Sequence, residues 1–395
     1  MHTVLLSVEY PPFICGGVGT FAKNLATGLY KEGVKVTVIS GYPVSFRVNG
    51  FKTDEEKDAG LTVIRFPYFD FHPKDAIFQL QNLKKICETV EKADPDVVHG
   101  QGLSTFPASI KLRNLAPLVV TFHSSPKAEK TMGVSSLLRG GSFDDFRTNV
   151  IGYPAWSYVC KKELSDSNKS VAVSEHLKLE LLEEMGEAYR EKLRDIHNGV
   201  DIETLDAEYN SVEENIDENN ETILFAGRLV WRKGALSLIR MAYLLQKEKP
   251  SFKLIVHGDG PLFKTLKRKV ADYGLTNIEL KGFTNRLQMM RSMKRSKFVV
   301  IPSSYEACPM ILLESMCLGK IPVMFNLPFA LEFTDYGKYA IIAKDVEDMV
   351  EKLSSVHVKF DLSSYSDKVK DFARRKYDIK KMCLKYLDLY RSTID

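Results

Sequence analysis

The chain has 395 residues, 44% hydrophobic and 27% charged, an ordinary globular balance whose length favours two domains. A formal net charge of +4 is too small to argue for nucleic acid. Six scattered cysteines (Cys15, Cys87, Cys160, Cys308, Cys317 and Cys383) form no Cys-x-x-Cys pair and no metal-like cluster, which suits a reduced cytoplasmic protein. The opening MHTVLLSVEY lacks the basic start and cleavage site of a signal peptide, and no 18-residue apolar run suits a membrane span.

Short β-rich apolar runs alternate with segments of helical period, the pattern of parallel α/β sheets. The first half predicts strands at Thr3–Val8, Lys35–Ser40, Leu61–Phe66, Asp96–His99, Leu118–Phe122 and Ser170–Val173. Helices are expected at Thr20–Lys31, Asp75–Lys92 and Ser174–Glu184, with Ser174 as an N-cap before acidic Glu175. A turn-like IHNGVD (Ile196–Asp201) and an acidic, asparagine-rich stretch from Glu208 to Glu221 mark the domain boundary. Strands resume at Thr222–Phe225, Phe252–His257, Asn277–Lys281, Phe298–Ile301 and Ile321–Phe325, and the last thirty-odd residues read as helices. Two doubly wound sheets in series put chemistry in the loops at the carboxyl ends of their strands.

Gly16, Gly17 and Gly19 stand before the first helix, whose N–H groups suit a phosphate or another anion. The spacing is not G-x-G-x-x-G, which disfavours a nicotinamide or flavin site, and a purely steric turn remains open. In FAGRLVWRKG, Arg228 and Lys233 lie between a strand and the helix beginning near Gly234, where two cations could clamp a diphosphate or simply be solvated. The segment Val299–Val323 carries Glu306 in a strand-exit loop. Pro309 can occupy the first position of the following helix, which ends near Gly319. Glu314 interrupts that helix's apolar face, where a carboxylate needs donors such as sugar hydroxyls.

The Glu306-x7-Glu314 pair, set between PSSYE and LESMCLGKIPV, closely resembles the retaining family 4 glycosyltransferases of GT-B fold. GGVG at 16–19, DVVHGQ at 96–101, TFHSSP at 121–126, VAVSEHLK at 171–178, HNGVD at 197–201, GRLVWRKG at 227–234, HGDGP at 257–261 and LKGF at 280–283 fall into the same register, covering almost the whole chain. The resemblance implies two Rossmann-like domains facing across a cleft. The acceptor domain would span 1–201, completed by a C-terminal helix at about 377–395 that crosses back to it. The nucleotide-sugar donor domain would span 202–376.

By the same resemblance, Arg228 and Lys233 would hold the donor diphosphate and Glu314 the ribose. Glu306 would hold the transferred sugar, helped by backbone N–H groups of Ala307, Met310 and Ile311. Gly16 and Gly17 would close over the diphosphate, His123 would sit at the reacting face, and Gly282 and Phe283 would receive the nucleobase. Two departures stand out: Ala307-Cys308-Pro309-Met310 lacks the family's frequent glycine, with Pro309 offering no N–H, and NLPFALE at 326–332 replaces a usual glycine pair.

The expected activity is hexose transfer from a nucleoside diphosphate to a glycan, glycolipid or small-molecule hydroxyl, with retained configuration. No metal is expected, because the two cations neutralise the leaving group. A sugar phosphorylase or nucleotide-sugar epimerase, or a non-catalytic scaffold, could share the fold. Asp94-Pro-Asp96 matches a D-x-D metal motif but reads better as a strand entry. Histidines 2, 72, 99, 176, 197 and 257 read as structural, and no G-x-S-x-G elbow supports a hydrolase. Residues 264–297 hold ten Lys or Arg against Asp272 and Glu279. A solvated face is the default there, and peripheral docking on anionic lipid at the inner membrane face is the sharper option.

Overall fold

Short β-branched runs set the framework of the computed structural model. It describes residues 1–13, 16–44, 55–58, 60–69, 74–138, 146–214, 221–249, 251–356 and 361–395, so Cys15 and His72 lie outside the described residues. Strands β1 (His2–Leu6), β2 (Lys35–Pro43), β3 (Glu55–Asp58), β4 (Leu61–Tyr68), β5 (Val97–Gln101), β6 (Leu118–Phe122), β7 (Lys169–Ala172) and β8 (Leu193–Asp195) form one sheet in the order β3-β4-β2-β1-β5-β6-β7-β8. Its neighbours are parallel except β3, which runs antiparallel to β4. β1 and β6 are buried at every position, as continuous apolar strands covered on both faces must be.

The second sheet contains β9 (Glu221–Ala226), β10 (Phe252–His257), β11 (Ile278–Gly282), β12 (Ser296–Ile301), β13 (Ile321–Phe325) and β14 (Ile341–Ala343). Its order is β11-β10-β9-β12-β13-β14, parallel throughout. Both sheets have the doubly wound, Rossmann-like arrangement. Every expected strand is present, with ends displaced by two residues or fewer at most positions. The structure adds β3, β8 and β14, each only three or four residues long and too short for periodicity to reveal. Pro309 is the N-cap of helix Met310–Cys317 rather than its first residue, a one-position shift.

The chain divides into two compact units, one of Met1–Gly133, Phe146–Asp201 and Ile379–Asp395, the other of Val134–Asp145 and Ile202–Asp378. The C-terminal helix Ile379–Ile394 thus returns to the first unit. There Met382, Cys383, Tyr386 and Tyr390 share a core with Phe21, Leu25 and Val36. Gly28 permits that approach, since a Cβ there would strike Cys383 Sγ. Ser174 caps its helix as expected, accepting from the Leu177 N–H at 3.4 Å.

Candidate functional site

In the second unit, β9 and β12 are neighbours, so the loops leaving their carboxyl ends lie side by side. The Ser304 N–H donates to the Arg232 carbonyl at 2.9 Å and joins them. The loop after β9 turns through a 3-10 segment, Trp231–Lys233, into Gly234 at φ +72° and then helix Ala235–Glu248. Gly234 is required on two counts: its backbone is left-handed, and a Cβ would run into the Pro302 carbonyl. That turn aims Lys233 at Glu306, with Nζ 2.5 Å from Oε1, and the Ser303 hydroxyl donates to the same oxygen at 2.7 Å.

Glu306 is buried at 6% exposure. Burial pushes its carboxyl up, but Lys233 and Arg232 outweigh that, and its pKa falls below the ordinary value. The result is a buried carboxylate kept ionised by its partners. Arg228, by contrast, is exposed, and its guanidinium has no hydrogen bond or ion pair among the described residues. Beyond Glu306, the N–H groups of Ala307, Met310 and Ile311 have no hydrogen-bond partner among the described residues. Helix N-termini leave such donors for a ligand or water.

Glu314 projects from helix Met310–Cys317, buried at 8% exposure. Arg286 donates to its Oε2 from Nη1 at 2.6 Å and to Glu208 from Nε at 2.8 Å. Burial lowers the Arg286 pKa, but the two carboxylates outweigh it and the net shift is upward. One cation of the basic 264–297 segment is therefore committed to Glu314. Lys281 pairs with Glu279, and Lys294 donates to the Val212 carbonyl at 2.7 Å. Gly282 (φ +69°) closes β11, and Phe283 follows it with 86% exposure.

In the first unit, helix Gly17–Lys31 begins after Gly16, and the Gly16 N–H donates to Glu9 at 3.1 Å. Gly16 is extended (φ −167°), and a Cβ at Gly16 or Gly17 would meet nothing within 4 Å. Neither backbone strain nor internal packing requires glycine there, so the bare backbone leaves open space in front of the helix. His123 follows β6, its ring edge-on to Phe21 at 4.9 Å and its Nε2 3.1 Å from Gln101 Oε1. Burial lowers its pKa to about 4, so the ring is neutral at pH 7.

His257 is tied to Thr284 and Ser292, both at 2.7 Å, and His2 to Thr37 at 3.0 Å, in structural roles. Asp96 accepts the His2 N–H at 2.6 Å, and Asp94 turns the chain at φ +46°. Sequence reasoning missed Ser303, Arg286 and Gln101. Ser303 stands three residues before Glu306 and was readable as a local donor. Arg286 meets its carboxylates only through tertiary packing.

The model for glycosyl transferases group 1 matches residues 206–359, and that for glycosyltransferase family 4 matches 15–204. The chain belongs to the family 4 glycosyltransferases of GT-B fold and is a transferase. It is similar, at 27% identity over 84% of its length and 82% of the relative's, to an uncharacterized glycosyltransferase of Methanocaldococcus jannaschii. In fold it is similar to sucrose-phosphate synthase from Thermosynechococcus elongatus (TM-score 0.78, 17% identity, 99% and 98% of the two chains). It is also similar in fold to Anabaena HepE, solved with UDP and glucose (TM-score 0.71, 16% identity, 99% and 100%). No helix among the described residues is long and apolar enough to cross a membrane.

Proposed function

We propose that the protein transfers a hexose-type sugar from a nucleoside diphosphate donor to an acceptor hydroxyl, with retention of configuration and without a metal. The observation that carries this reading is the second unit's cluster of Lys233, Ser303 and buried Glu306, with exposed Arg228, which has no hydrogen bond or ion pair among the described residues, in the same β9-exit loop as Lys233. Arg228 offers a diphosphate a planar fork and Lys233 a point charge. Glu306 and the N–H groups of Ala307, Met310 and Ile311 offer acceptors and donors to sugar hydroxyls, and Glu314 takes the ribose. Gly282 and Phe283 take the base. Gly16, Gly17 and His123 of the first unit are also read as donor-binding residues; HepE, similar in fold, was solved with UDP and glucose.

In the reaction, the bond from the anomeric carbon to the diphosphate breaks as the acceptor oxygen bonds from the same face. The acceptor proton passes to the departing diphosphate, whose charge the two cations stabilise. The acceptor is a glycan, glycolipid or small molecule, and the setting is cytoplasmic, with peripheral docking at the inner membrane face as the lipid-acceptor case. An acceptor array incubated with uridine, guanosine and adenosine diphosphate sugars tests this, the product linkage being read by NMR. An α-donor giving an α-glycoside is expected. An inverted product, or a donor sugar isomerised in the absence of acceptor, overturns it.

A further inference from the structure

Behind His123 lies a buried polar chain that the transfer reaction does not itself use. His99 on β5 is fully buried, with Nδ1 2.6 Å from the Tyr390 hydroxyl and Nε2 2.7 Å from the Thr121 hydroxyl. Tyr386 reaches Thr121 at 3.0 Å. The Gln101 amide nitrogen lies 3.3 Å from His99 Nε2, and its oxygen lies 3.1 Å from His123 Nε2. Three elements meet here, β5, β6 and the C-terminal helix Ile379–Ile394, together with the residue after β6.

The donors and acceptors admit one consistent order with the amide so placed. Gln101 Oε1 has only lone pairs, so His123 must carry its proton on Nε2. The Gln101 amide must then donate to His99, so His99 Nε2 is bare and its proton sits on Nδ1, facing Tyr390. Thr121 donates to His99 Nε2 and accepts from Tyr386. In this order Thr121 and the Gln101 amide share His99 Nε2 as their acceptor, and no hydrogen along the chain faces another hydrogen. Burial lowers the pKa of His99 to about 3, with His123 adding to the shift, so both rings are neutral at pH 7 and each must choose a tautomer.

The choice reaches the substrate. With the proton on Nε2, His123 Nδ1 is an acceptor, and it has no hydrogen-bond partner among the described residues. We propose that Gln101, set by His99 and Tyr390, is a positioning residue that fixes the His123 tautomer so that Nδ1 accepts a hydrogen bond from a sugar hydroxyl. The C-terminal helix thereby does more than complete a core. Its tyrosines decide which face of the site histidine is bare. The substrate half of this proposal rests on the placement of His123 at the sugar.

The test is nitrogen-15 NMR of histidine-labelled full-length protein without substrate, the His123 signals being assigned by their loss in His123→Asn. Wild type is expected to show protonated Nε2 and bare Nδ1. Gln101→Leu and Tyr390→Phe should shift His123 toward a mixture of tautomers, whereas Gln101→Glu, which keeps an acceptor toward His123, should restore the wild-type form. Turnover should fall about 10–100-fold in Gln101→Leu, by analogy with losing the outer hydrogen-bond partner of a metal-bound histidine. Donor KM should change far less. A wild-type His123 carrying its proton on Nδ1 overturns the hydrogen-bond order without reference to any variant's folding. Correct tautomers with unimpaired turnover in His123→Ala would overturn its use at the sugar, and with it that placement, while leaving donor binding by the second unit untouched.

Discussion

Glu306 owes its charge to its neighbours. Burial alone would push its carboxyl up, and Lys233, with Arg232, reverses the shift. Because the folded value is lowered, the stability this group contributes is present above its ordinary pKa of 4.5 and is lost as pH falls through the folded value. Lys233→Ala should therefore raise the Glu306 pKa and move the acid limb of turnover to higher pH, besides lowering turnover at neutral pH by roughly 10²–10³-fold. A turnover–pH profile checks both, and an unmoved acid limb counts against the pairing. Glu306→Gln should depress turnover if, as proposed, it acts where charge develops. Glu314→Gln should mainly raise donor KM, because the ribose proposed to sit there would be held alike in ground and transition states. Arg286→Ala should resemble Glu314→Gln, as it strands that carboxylate without its cation. The two glutamates were legible in the sequence as carboxylates out of place, one in a strand-exit loop and one in an apolar helix. Arg286 was not, because it looks like any other member of a basic surface helix until Glu208 and Glu314 are folded against it.

At the level of the element, the strand-to-helix turn at Gly234 sets the direction of Lys233. Gly234→Ala meets both a left-handed backbone and the Pro302 carbonyl, and should cost about 1–3 kcal/mol of stability. A denaturant melt measures the loss, and turnover should fall further than stability alone explains because Lys233 moves. The C-terminal helix Ile379–Ile394 supplies Tyr386, Tyr390 and Met382 to the first unit's core. Deleting it should strip hydrogen-exchange protection from helix Gly17–Lys31, whose Phe21 and Leu25 it covers. Unchanged protection there would contradict the shared core. The longer strands were legible because buried parallel strands are continuous apolar runs. β8 and β14 escaped because three residues cannot show a period, and β3 (Glu55–Asp58) because its charged sequence carries no apolar signal.

For the whole molecule, the pattern of alternating strands and helices was enough for two doubly wound units. The return of the C-terminal helix came only from family resemblance, since nothing local in IKKMCLKYLDLYRSTI says which core it joins. In the proposed function this molecule binds a nucleoside diphosphate sugar through Arg228, Lys233, Glu306 and Glu314 with no metal. Calorimetric titration of uridine, guanosine and adenosine diphosphate sugars in EDTA, into wild type and Lys233→Ala, measures this binding. One donor should saturate wild type and, at about 100 times its dissociation constant, add roughly 2.7 kcal/mol of stability. Its affinity should drop in Lys233→Ala. Binding that vanishes in EDTA, or that is equal in the two proteins, would rule out a metal-free clamp built on Lys233.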